Sequence, residues 1–148
     1  IQLLYSFFNI KPKDNTIERN RKVLSAVKHL VPESLSLVSL LNSLLGLSIQ
    51  RSDVVRSLDD ANRRLQLFEL IKDLLYSVNK NETVAIVLEN IQWADQSSID
   101  LVNYIGDHIQ SSRLLIFLTH RSNYKSHELY FLKLYIQLEV NELLYTLY

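Results

Sequence analysis

Two short runs in which every residue is apolar, VAIVL (Val84 to Leu88) and LLIFL (Leu114 to Leu118), constrain this chain more than any other feature. Neither run alternates polar with apolar residues, so neither offers a face to water. Strands covered on both sides read this way, and they belong to parallel sheets whose crossovers lay helices over the sheet. Between the runs, residues Ser97 to Gln110 place Val102, Ile105 and Ile109 at helical spacing. Strand, helix, strand predicts a βαβ unit with a right-handed crossover. A later apolar stretch, LYFLKLYIQL, reads as a further strand over Leu134 to Leu138, with the start of a helix over Asn141 to Tyr148. The expected class is α/β.

The first half has a different period. Ile17 to Val31 reads as a helix capped by Thr16, with Val23, Leu24, Val27, Leu30 and Val31 as its stripe and Pro32 as its stop. Leu35 to Leu45 predicts a second helix ended by Gly46. A polar segment, QRSDVVRS, follows. Asp59 or Asp60 then opens a longer helix with Leu67, Phe68, Ile71, Leu74, Leu75 and Val78 at helical spacing, closed by the polar break Asn79, Lys80 and Asn81. One partial domain is expected, with residues 1–81 helical, 82–122 the βαβ unit, and 123–148 the last strand and the start of its helix.

Composition removes several function classes. Sixteen basic and sixteen acidic residues cancel, so no overall field favours nucleic acid or anionic lipid. The arginines Arg51, Arg56, Arg63 and Arg64 are interleaved with Asp53, Asp59 and Asp60, as on a solvated face. No cysteine is present, which excludes disulfides and thiolate metal sites and fits a reducing, cytoplasmic setting. No apolar run approaches the roughly 20 residues that span a bilayer. His29, His108 and His127 share no metal-ligand spacing. The chain has no methionine, from which we expect a piece of a longer polypeptide.

The candidate site lies just past the strands. Glu89 follows the first apolar run, and ligands of open α/β sheets sit at the carboxyl ends of strands. On the strand alone, a solvated acid is the plainer reading. The residues around it, LENIQWADQSSIDLV, resemble the Walker B segment of the signal-transduction NTPases related to AAA+ ATPases, the origin-recognition-like type. Gln92, Trp93, Ala94, Asp95, Ser97 and Ser98 stand in the corresponding places. The resemblance implies a P-loop NTPase-like three-layer αβα fold, ATP and Mg²⁺ as ligands of the complete domain, and Glu89 holding Mg²⁺ directly or through water. It also implies regulation of an attached effector such as a cyclase, a kinase or a transcription activator. The family usually carries a second acid where this chain has Asn90. An amide can position water by hydrogen bonds but cannot take its proton, so Asn90 is at best a water-positioning group. Asp95 is read as the cap of the following helix, and Trp93 as a packing residue under the loop. Thr119, His120 and Arg121 match the family's strand-Thr-x-Arg segment. The resemblance places Arg121 as a sensor of the γ-phosphate; by itself it is a surface arginine at a strand end.

A phosphate loop, G-x-x-x-x-G-K-[ST], is absent from the 148 residues, whose glycines are Gly46 and Gly106. The family places that loop upstream, on a strand central to the sheet. The expected partners are ATP and other domains of the same parent polypeptide, with neither nucleic acid nor membrane. By itself the chain is not expected to bind ATP well, and it is expected to be poorly soluble or only partly ordered. Two further readings stand beside this one: a helical interaction module with a degenerate, non-hydrolysing ATPase remnant, and a truncated gene product.

Overall fold

The computed structural model describes residues 1–78, 83–108 and 113–120. They form a mostly helical chain with a two-stranded parallel sheet, compatible with α/β. Helices α1 (Gln2–Phe7), α2 (Thr16–Leu30), α3 (Asn42–Leu45), α4 (Asp53–Ser57) and α5 (Asp60–Val78) precede strand β1 (Val84–Leu88), helix α6 (Gln96–His108) and strand β2 (Leu114–Leu118). The chain clusters into two compact units, Ile1–Ile86 with Ser111–Leu115, and Val87–Gln110 with Ile116–Tyr148, and the division runs through both strands. The expected strand Leu134 to Leu138, the helix start Asn141 to Tyr148, the break at Asn79 to Asn81, and Ile109 lie outside the described residues.

In the first unit α2 begins one residue earlier than its apolar stripe suggests. Its cap is Asn15, not Thr16. The Asn15 side chain accepts from the Glu18 N–H at 2.9 Å, and the Glu18 carboxylate accepts from the Asn15 N–H at 3.0 Å. That reciprocal pair satisfies two donors that the helix leaves open, which a cap at Thr16 would not. Val23 and Val27 are fully buried beneath it. The expected second helix is instead a 3₁₀ segment, Pro32–Leu41, followed by the single turn α3. At about three residues per turn, Val38 and Leu41 fall on one side, and both are buried. This segment packs against α2, α3, α4 and α5. The polar stretch after Gly46 also holds a helix, α4, because Ser52 caps it by accepting from the Val55 N–H and Val55 is buried. Asp59 caps α5 through the Asn62 N–H at 2.8 Å. Leu70, Ile71, Leu74 and Leu75 are its buried face, while Val78 is exposed.

Gly46 ends α3 in the left-handed conformation, φ 61° and ψ 45°. A side chain there is strained by the backbone angle, and an added Cβ would sit 2.9 Å from the Arg19 guanidinium, which would have to shift. That arginine donates to the Asp14 carbonyl at 3.1 Å and to the Leu45 carbonyl and Tyr5 hydroxyl at 3.4 Å, and it lies over the Tyr5 ring. One charge therefore ties α1, α2 and α3 together. Beside it Lys22 pairs with Asp14 and donates to the Asn9 carbonyl at 2.6 Å.

Among the described residues of the second unit, one apolar cluster stands out. Ile91, Ile99 and Val102 are buried, with Leu88, Ala94 and Leu118 packed against them. The strands are not covered on both sides as their composition predicts. Within β1, Ile86 is buried but Val87 is 57% exposed; within β2, Leu114 is buried but Leu115 and Phe117 are about half exposed. An all-apolar strand records that both faces can be covered, whereas actual cover depends on what other elements lie over it.

Candidate strand-end site

The two strands end side by side. The Thr119 N–H donates to the Leu88 carbonyl at 3.0 Å, and the Ile91 N–H donates to the Thr119 carbonyl at 3.0 Å. The Thr119 hydroxyl oxygen accepts from the Asn90 N–H at 3.1 Å. These bonds carry the pairing past Leu88 and Leu118 and turn the chain after β1 into a short 3₁₀ turn, Ile91–Trp93. Glu89 stands at this corner with an exposed side chain. Arg121, the other half of the expected pair, lies outside the described residues, which end at His120 on the neighbouring strand end.

Asn90 has φ 56° and ψ 45°, the left-handed region. Asparagine is among the few residues with a side chain that enter it readily, so the corner itself favours Asn here, apart from any role in water chemistry. Its carbonyl accepts from the Trp93 N–H at 3.0 Å, and its side-chain oxygen accepts from Gln92 Nε2 at 3.4 Å. The Gln92 side-chain oxygen is buried and finds no partner among the described residues. Trp93 departs from its expected packing role: it is 73% exposed. The 3₁₀ turn has one inward position, and Ile91, 5% exposed, takes it.

Asp95 is a cap, as its place before α6 predicts. Its carboxylate accepts from the Ser98 N–H at 2.7 Å, and its carbonyl accepts from the Ile99 N–H. The Ser98 backbone and hydroxyl hold its pKa below the usual carboxylate value, so it stays charged and occupied at the helix end. In the first turns of α6, Asp100 accepts from Gln96 Nε2 at 2.9 Å.

Glu89 is thus the carboxylate at the corner that no cap engages. No group of three or more His, Cys, Asp or Glu side chains is placed to hold a metal among the described residues. A single carboxylate suits Mg²⁺ that keeps its waters and leans on substrate phosphates, but it does not build a protein cage for the ion. No helix among the described residues is long and apolar enough to cross a membrane. Compared with known protein families, with curated proteins and with solved structures, the chain finds no match.

Proposed function

We propose that this chain is part of an ATP-binding regulatory domain of the AAA-related signal-transduction kind, a P-loop NTPase-like αβα fold whose nucleotide state controls an attached effector. The observation that carries the reading is the corner at the strand ends. Two parallel strands terminate together, and the first delivers an exposed carboxylate at the edge where open α/β sheets bind ligands. Glu89 would hold Mg²⁺ through its waters, and the ion would neutralise the β- and γ-phosphate oxygens. Arg121 would grip the γ-phosphate with its permanently charged fork. Asn90 accepts hydrogen bonds but no proton, so the domain binds nucleotide and turns it over slowly or not at all. Regulation would then be a shift of population between nucleotide states.

The test belongs in the parent polypeptide, with ATP and ADP affinities measured with and without Mg²⁺. Glu89→Gln should abolish the gain in ATP affinity that Mg²⁺ confers. Arg121→Ala should weaken ATP more than ADP, and Asn90→Asp should raise turnover. Equal loss of ATP and ADP in Arg121→Ala removes the sensor role, and Mg²⁺-independent binding removes the reading as a whole. The second reading, a helical interaction module with a non-hydrolysing remnant, draws on a separate observation. Among the described residues most of the buried apolar side chains lie in the helical unit, and Asn90 is accounted for by its backbone conformation alone. A parent that binds no nucleotide yet needs residues 1–78 for assembly would favour it.

A further inference from the structure

We infer that Thr119 is a positioning residue for the strand-end site, acting on Glu89 through the backbone of Asn90. This rests on the reading of the corner as an Mg²⁺-ATP site and names the side chain that shapes it. Two of the bonds that meet at Thr119 are main-chain bonds, its N–H to the Leu88 carbonyl and the Ile91 N–H to its carbonyl, and any residue other than proline would make both. The third differs, because the Asn90 N–H donates to the Thr119 hydroxyl oxygen. Only serine and threonine present a hydroxyl at that distance from their own backbone.

The consequence falls on the residue between the anchors. Leu88 is held through its carbonyl and Asn90 through its N–H, so both peptide groups flanking Glu89 are tied to Thr119, the residue just past β2. Asn90 is also in the left-handed region, which asparagine tolerates but does not keep without contacts that hold it there. Gln92 grips its side chain, and Thr119 grips its N–H. With the hydroxyl removed, Asn90 can relax and the direction of Glu89 is no longer set. Positional errors of this kind weaken ligand sites whose first contacts are intact.

Thr119→Val deletes the hydroxyl and keeps the branched shape and both main-chain bonds, whereas Thr119→Ser restores the hydroxyl. In this chain, amide exchange at Asn90 should quicken about fivefold in Thr119→Val, with Ile91 unchanged and Thr119→Ser behaving as wild type, the size expected for loss of one ordinary hydrogen bond. In the parent polypeptide, ATP affinity with Mg²⁺ should fall by a similar factor in Thr119→Val and recover in Thr119→Ser, while metal-free ATP affinity stays unchanged. Asn90 exchange that ignores Thr119→Val overturns the inference whatever the nucleotide does. Equal losses with and without Mg²⁺ also overturn it, by showing a general loosening. A wild-type parent without Mg²⁺-dependent ATP binding, with Asn90 exchange responding as expected, sinks the nucleotide reading and leaves Thr119 as a structural clasp only.

Discussion

The helical unit and the strand-end unit are built on different principles. In the helical unit, large side chains such as Leu41, Leu45, Leu70, Ile71 and Leu74 are fully buried, and polar side chains are spent on tying separate elements together, Arg19 above all. Among the described residues of the strand-end unit, Ile91, Ile99, Val102 and Ile105 are buried, and the strand residues Val87 and Phe117 are left exposed. Three hydrogen bonds meet there on the single residue Thr119. The contrast teaches that a local clasp of hydrogen bonds, and not only burial, can set the backbone of a candidate site. Regions with few buried apolar contacts are also where local opening is easiest.

The strongest way to break this comparison is to make the same truncation in both units. Leu74→Ala should cost about 4 kcal/mol of unfolding free energy, near the upper part of the usual range for a buried leucine, because a well-walled site cannot collapse. Ile99→Ala should cost about 2 kcal/mol, since the thinner surroundings can close on the space. Urea titrations of both variants decide the matter; equal losses would show that the two cores are equally rigid. A smaller effect separates the two left-handed corners. Gly46→Ala puts a Cβ against Arg19 in an unfavourable backbone and should cost about 1–2 kcal/mol. Asn90→Gly, where the backbone suffers no such conflict, should change stability by well under 1 kcal/mol. Thermal melts that rank these two the other way would place the rigid corner at the strand ends instead.

The least effect is the one set by pH. Lys22 and the Lys11 N–H stabilise the Asp14 carboxylate, which lowers its pKa below the ordinary value of 3.8. A carboxyl whose folded pKa is depressed adds stability that is complete above its unfolded pKa and is lost as pH falls through the folded one. The helical unit should therefore lose a share of its stability below about pH 4. Asp14→Asn should flatten that part of the acid denaturation curve and leave the neutral-pH part of its shape unchanged. Asp95 is depressed as well, by Ser98, so acid should also fray the start of α6. Monitoring Ile99 and Val23 amides separately during acidification would tell the two apart.

Both strands were legible to the residue, because uninterrupted apolar runs bounded by polar residues leave no other period to follow. The start of α5 and the left-handed stop at Gly46 were legible for the same reason: local chemistry decides them. Asn15 was a missed local signal, since Asn-x-x-Glu is itself a capping pattern. The remaining departures were not local. Whether Leu35 to Leu41 winds as 3₁₀ or α is settled by packing against four helices, and the exposure of Phe117 is settled by what lies over the sheet. At the site, Glu89 and the cap Asp95 could be read from the chain. Thr119 could not, because a threonine ending a strand reveals its partner only once the strands are paired.

The one indole of the chain, at Trp93, faces solvent and sits three positions beyond Asn90, with its own amide tied to that residue's carbonyl. The molecule thereby supplies an intrinsic optical gauge at the corner of greatest interest, free of interference from any other tryptophan. Its emission and its accessibility to a soluble quencher should register binding, or release of the corner, with no label attached.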